Sequence, residues 1–295
     1  MKDTFSKMHP ITNLVFFAAV ILFSMFYMHP ICLIFSLFGA FANAVILSGK
    51  KAVLFSLRFL LPTALMLIII NPLFNHRGKT IICYLPWDNP LTLESIIYGF
   101  AAAALVCAVA LWFHAFNRVM TSDKLIYLFG RIAPALGLVL SMALRFIPHF
   151  TAQFKLTRQS QRQIASFSKK SLIGRIKAVT RVFSIMVSWS MENALETADS
   201  MKGRGYGFKG RTAYSRFRFN RADALTLVIM SSEIIGMILI IAFGRIKYRY
   251  FPSFKGNFDD IFSILLYLML FVLCSIPIII NGREGLRWKR LQSKI

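Results

Sequence analysis

The sequence predicts an all-α integral membrane protein of about six transmembrane helices, with a cytoplasmic helical domain inserted before the last two. Three observations carry that prediction. The chain is 57% hydrophobic with a mean hydropathy of +0.61, yet its formal net charge is +23. Its apolar residues fall into runs of bilayer length, and its charges fall between those runs. A soluble nucleic-acid binder accommodates such a charge but not such hydropathy, whereas a membrane protein accommodates both when charge and apolar runs are segregated.

A bilayer core needs roughly 20 apolar residues per helix. The runs Ile11–Met28, Pro30–Leu47, Val53–Ile70 and Ser95–Phe116 are read as four spans, and Ala224–Phe243 and Asp259–Ile280 as two more. Lys2 and Lys7 precede the first run as in a signal peptide, but a second apolar run follows at once, so the first is read as a retained span. Only His29 separates the first two, and Pro30 suits a helix start. The stretch Ile132–Ile147, with Arg131 and Arg145 near its ends and Pro134 and Pro148 punctuating it, is too short for a span and is read as a buried or interfacial helix. The resulting organisation is a membrane region of four helices over 1–116, a basic cytoplasmic domain over 117–221, and a C-terminal membrane helix pair with a basic tail over 222–295.

Six spans put both termini on one side of what is read as the cell membrane, and the positive-inside rule makes that side the cytoplasm. Inside then lie 29 Lys and Arg, against six outside: Arg77, Lys79, Arg245, Lys247, Arg249 and Lys255. Nineteen of the inner ones lie between Arg118 and Arg221, where only Asp123, Glu192, Glu196 and Asp199 oppose them. The rule is strict only for short loops, and without that segment the balance is still ten against six. Within the segment, Leu172, Ile176, Val179, Phe183 and Met186 share one helical face, with Lys170, Lys177 and Arg181 opposite. Such a helix lies on anionic lipid or packs on other helices and shows its charges to a partner.

Intrinsic chemistry is sparse. Cys32, Cys83, Cys107 and Cys274 form no C-x-x-C pair and read as small hydrophobes, and His9, His29, His76, His114 and His149 have no metal-site spacing. There is no G-x-x-x-x-G-K-[ST] loop, so no ATPase in this chain, and no cofactor site of its own is expected. Aromatic residues are too thinly spread in the basic segment for single-strand nucleic-acid binding. Glu233 stands alone near the middle of its span: a proton or cation relay, or a carboxyl facing another helix. A self-contained ion-coupled carrier using Glu233 is the alternative function.

One feature points outward. Glu192, Glu196 and Asp199 share a helical face and are expected to pair with basic neighbours, fixing how the helices pack. The helix then runs into Lys202-Gly203-Arg204-Gly205-Tyr206-Gly207. Gly203 and Gly205 permit positive φ, leaving Arg204 displayed for bidentate binding to a partner's carboxylate, or simply as a solvated helix cap.

This run, with Glu192 and Glu196 before it and Arg211-Thr212 after it, resembles the Ala-Arg-Gly coupling motif of the transmembrane T components of energy-coupling factor transporters, a group that includes cobalt-permease-like proteins. Three further stretches are similar to the same family: Asn71-Pro72-Leu73-Phe74 with Gly78, Leu93-Glu94 with Tyr98-Gly99, and Met142-Ala143-Leu144-Arg145-Phe146-Ile147-Pro148 at the entry to its coupling domain. The resemblance implies a non-catalytic scaffold whose two cytoplasmic coupling helices dock onto a pair of ABC-type ATPases. These hydrolyse ATP and drive a membrane substrate-binding S component that imports a vitamin or metal ion. It assigns Gly203, Arg204 and Gly205 to the second coupling motif and places the first near Gln161-Arg162, with Arg145, Glu192, Glu196 and Asp199 in coupling-domain packing. The chain departs from the pattern at Ile164, where the family has arginine, and at Lys202 and Gly203, which replace an acid and an alanine.

Overall fold

The computed structural model describes residues 4–84, 90–164, 172–208, 217–243, 248–253 and 260–292, most of them helical. A 3₁₀ turn at Phe5–Lys7 leads into α1 (Pro10–Phe26) and α2 (Pro30–Ser48). The short α3 (Lys50–Phe55) runs through a π-turn at Ser56–Leu60 into α4 (Leu61–Phe74), forming one continuous helix. The wider turn lies just before Pro62, where a proline ring crowds the preceding turn and an ordinary hydrogen bond is lost. A small antiparallel hairpin, β1 (Ile81–Tyr84) and β2 (Pro90–Thr92), precedes α5 (Leu93–Val119). Then come α6 (Ser122–Ile132), α7 (Pro134–Ile164), α8 (Leu172–Gly203), α9 (Arg221–Phe243) and α10 (Ile261–Gln292).

Six of these helical stretches are long and apolar enough to cross a membrane: Pro30–Ser48, Lys50–Phe74, Leu93–Val119, Pro134–Gln163, Arg221–Phe243 and Ile261–Gln292. The chain is a multi-pass, all-α membrane protein. The membership of that set differs from the sequence expectation. α1, counted as a span, is a shorter apolar helix of 17 residues. The stretch Ile132–Ile147 is not a short buried helix: α7 carries it straight through Pro148 for 31 residues, and little of its apolar part is buried within the chain. Pro148 removes only its own N–H from the ladder, and a single such loss inside a long helix bends it without ending it.

The chain divides into two compact units, Met1–Leu125 with Phe217–Ile295, and Ile126–Arg216. In the first, α5 is the central helix and packs on α1, α2 and α4. Its buried Ala101, Ala103, Ala108 and Ala115 let neighbouring backbones approach closely, which is how helices associate in lipid, where apolar burial alone gives no preference. Gly99 does the same against α4, since a Cβ there would lie 3.3 Å from the Ile68 carbonyl oxygen. Trp112 is fully buried among Phe16 and Phe17, with ring centroids 5.7 and 6.4 Å away. Its indole Nε1 donates to Ser36 Oγ at 3.0 Å, and Ser36 pairs with Ser24 at 2.6 Å, so three helices share one polar chain.

At one end of this unit the family-like segments meet. The Glu94 carboxylate, in the first turn of α5, accepts from the backbone N–H groups of Lys79 and Thr80, both at 3.3 Å. Ser95 donates to the Asn75 carbonyl, and Thr92 pairs with Ser95 at 2.8 Å. Gly78 fits beneath: a Cβ there would stand 2.5 Å from Glu94 Oε2 and 2.7 Å from the Thr92 side chain. The α1–α2 turn carries an aromatic cap, in which buried His29 bonds Tyr267 through Nε2 at 2.9 Å and Tyr250 donates to the Met28 carbonyl at 3.0 Å. Cys32, Cys107 and Cys274 are buried, but Cys83, in β1, is exposed and is not the small core residue expected.

Two outcomes follow for the first unit. Trp112→Ala leaves a cavity and removes one donor from the Ser36–Ser24 pair, and is expected to cost about 3 kcal/mol, read as a lower midpoint in detergent thermal unfolding. Burial pushes the His29 imidazole down to about 4, so its neutral form is favoured in the fold. Stability from His29 is therefore complete above pH 6.5 and falls as pH drops toward 4; His29→Gln should flatten that part of a pH–stability profile.

Candidate functional site

The second unit is built on α7 and α8, which pack against each other. Trp189 of α8 is the contact point. The His149 ring stacks on it at 5.6 Å and 8°, while Phe146 and Phe150 lie 5.6 and 6.3 Å away. Phe146 belongs to the family-like run Met142–Pro148, so that run serves the crossing of the two helices. Arg145 in the same run is exposed. Among the described side chains of α8 the buried ones are Val182 and Met186, at helical spacing toward Trp189. The apolar face expected from sequence is different: Ile176, Val179 and Phe183 are 66–69% exposed, and of that face Met186 is buried. Lys177 and Arg181 are exposed, and Lys170 lies outside the described residues. The junction of α6 and α7 is also tight, since a Cβ on Gly137 would stand 2.3 Å from Gly130 Cα.

The end of α8 has a defined chemistry. The Tyr206 N–H bonds the Met201 carbonyl at 3.0 Å and the Gly205 N–H bonds the Lys202 carbonyl at 2.9 Å. With Gly205 at φ +80°, this is a Schellman cap, in which a left-handed residue turns the chain and satisfies the last carbonyls. Arg204 is the last residue before the turn, and it is exposed. The sequence expectation for its neighbours changes. Gly203 is still helical and a Cβ there meets nothing within 4 Å, so it needs no positive φ. The second left-handed glycine is Gly207, at φ +106°. A fixed turn on both sides of its backbone, and a clear side chain, leave the Arg204 guanidinium presented at a helix C-terminus, where a cation is favoured.

Gln161 and Arg162 lie in the last turn of α7, Gln161 half-buried and Arg162 exposed, with exposed Arg158 one turn earlier. Counted along the chain, Arg162 is 13 residues past His149 and Arg204 is 15 past Trp189. Each therefore stands about 20 Å along its helix from the crossing. Both basic tips thus belong to long levers joined at an aromatic contact. Ile164 ends α7, and Arg211-Thr212 lie outside the described residues. Glu192 and Glu196 are exposed rather than packed against basic neighbours, and Asp199 pairs with Lys202 at 3.9 Å, with both side chains more than three-quarters exposed. A pair so exposed contributes little, so helix packing rests on the Trp189 contact. Glu233, in α9, is half-buried, and its Oε2 is buried with no hydrogen-bond partner among the described residues.

No protein-family model matches the chain. Among curated proteins it is similar to the energy-coupling factor transporter transmembrane protein EcfT of Lactobacillus helveticus, 32% identical over 107 residues, covering 36% of this chain and 38% of the relative. The EcfT of Lactococcus lactis subsp. cremoris is 32% identical over 114 residues, covering 38% and 42%. That of Bacillus selenitireducens is 26% identical over 176 residues, covering 56% and 66%. The chain thus spans about two-fifths of the length of the first curated relatives it matches.

The cap makes an opposed pair of predictions. Gly203→Ala should stabilise the end of α8 by about 0.5–1 kcal/mol, because alanine is the better helix residue and the space is open. Gly205→Ala should destabilise it by about 1 kcal/mol, since φ is positive and the new Cβ meets Phe208 at 3.1 Å. Amide hydrogen exchange over residues 198–206 reads both. Five EcfT proteins match at 26–32% identity, so the chain is similar to the transmembrane T components of energy-coupling factor transporters.

Proposed function

We propose that the chain is the energy-coupling subunit of an energy-coupling factor importer of the cell membrane, multi-pass with both termini cytoplasmic. In this reading the 17-residue α1 crosses the membrane with α2, α3–α4 and α5, while α7, although long and apolar enough to cross, lies with α8 in the cytoplasmic coupling domain, proposed to run over 117–221 between that four-helix region and a C-terminal helix pair. Two ABC-type ATPase subunits dock on it. Arg204 at the tip of α8 enters a groove of one ATPase and meets a carboxylate there, while Arg162 and Gln161 at the tip of α7 engage the other. The chain catalyses nothing itself and holds no cofactor; ATP is consumed by the ATPases, and nucleic acid plays no part.

The observation that carries this reading is the Schellman cap of α8, which presents an exposed arginine on a defined turn within the segment that resembles a coupling motif. A supporting one is the exposed apolar row Ile176, Val179 and Phe183 on the same helix. Apolar surface of that kind suits a membrane-embedded S component, whose cargo would be a vitamin or a metal ion. Force on the two tips would act through levers of about 20 Å that share the Trp189 contact. The departure at Ile164 makes the α7 tip the weaker of the two docking contacts, with Arg158 and Arg162 one turn apart to supply the charge.

A second reading rests on Glu233, whose buried oxygen, without a partner among the described residues, suits an ion-coupling carboxylate in a self-contained carrier. The two readings separate in one experiment. Arg204→Glu should abolish co-purification of the ATPases and substrate uptake while the protein still inserts into the membrane at wild-type yield. Undiminished assembly and uptake would remove the coupling role from Arg204.

A further inference from the structure

The first unit gives up its chain to the second after Leu125 and takes it back at Phe217. Both crossings are held by the same short N-terminal segment. At the departing crossing, Lys124 is 5% exposed and donates from Nζ to the Ser6 carbonyl. With the Asn13 amide assigned by its surroundings, its oxygen accepts from Nζ at 2.8 Å and its nitrogen donates to the Phe5 carbonyl at 3.1 Å. At the returning crossing, Asp223 is 4% exposed and accepts from the His9 N–H at 2.9 Å and the Asn220 N–H at 3.0 Å. The His9 ring meets Phe219 edge-on at 5.2 Å. The segment is itself anchored, since Asn281 Oδ1 accepts from the Thr4 and Phe5 N–H groups, both at 3.1 Å, and the Phe5 ring is fully buried.

A buried lysine and a buried carboxylate are costly to take out of water, and anchoring a chain end needs neither, because an apolar plug such as Phe5 suffices. What the ionic groups add is direction: each fixes one crossing to one carbonyl or N–H of the same ten residues. We propose that residues 4–13 are a clasp that sets the separation of the two crossings, with Lys124, Asn13 and Asp223 as positioning residues. The strands entering and leaving the second unit then move as one. The geometry stands alone, but its consequence rests on the coupling role proposed above. Displacement of α7 and α8 by ATPases reaches the membrane helices only if the two crossings cannot shift independently.

Two measurements test this. The first uses the full chain in nanodiscs, without partners, in a Cys83→Ser background. Spin labels at Ser122→Cys and Arg221→Cys, both exposed positions beside the clasp, should give one narrow distance distribution by pulsed electron spin resonance. Asp223→Ala or Lys124→Met should broaden it. A broad distribution with the clasp intact, or no change in the variants, overturns the proposal, and the intact-clasp width decides even if a variant fails to accumulate. The second uses the complex reconstituted with its ATPases. The same variants should keep ATP hydrolysis within about twofold and lower substrate uptake per ATP by about tenfold. Parallel loss of both activities would mark a merely structural role and overturn the coupling consequence. If the wild-type chain recruits no ATPase, the coupling role fails, while the distance measurement still decides the clasp.

Discussion

Hydrocarbon offers a polar group no water to bond, and the rest of this structure depends on how the chain meets that constraint. Backbone groups are satisfied inside long helices, and several of the buried polar side chains are tied to one another or to backbone groups. The Trp112–Ser36–Ser24 chain ties three helices where their backbones already lie close. Glu94 closes the loop after α4 by taking two backbone N–H groups, and Lys124 and Asp223 settle on the N-terminal segment. Alanine and glycine at the contacts of α5 make these short distances reachable. The membrane unit is thus held by close approach and a few satisfied polar ties, with its large apolar side chains largely turned outward.

The second unit follows a different rule. Its two long helices bury little against each other apart from the surroundings of Trp189, Val182 and Met186. Their basic tips and the apolar row on α8 remain uncovered. A pair of helices joined at one aromatic contact, with charge at the ends and exposed apolar side chains along one side, is the arrangement on which the proposed docking rests. The similarity to EcfT proteins supplies the class of molecules that the proposed function names.

Much of this was legible in the sequence because bilayer length and charge segregation are strong, regular signals. The apolar runs, the basic segment and the Arg204 turn all announce themselves. What failed did so for local reasons. Pro148 reads as a stop, yet one missing N–H inside 31 residues is tolerated. Gly203 reads as a turn glycine because it flanks Arg204, but the hydrogen-bond pattern puts the left-handed residues at Gly205 and Gly207. The periodicity of α8 finds an apolar face without saying what covers it, and the face that packs is rotated toward Val182 and Trp189. Asn13 and Asp223 left the weakest signal, polar residues in the first turns of apolar helices, and Lys124 was one of nineteen basic residues in its segment.

The central claim is that this chain converts force from separate ATPases and transports nothing by itself. Purified and reconstituted into liposomes alone, under an imposed proton or sodium gradient, it should show no accumulation of vitamin or metal ion. Uptake should appear only when ABC-type ATPases, an S component and ATP are supplied together. Gradient-driven uptake by the chain alone, abolished by Glu233→Gln, would contradict the account.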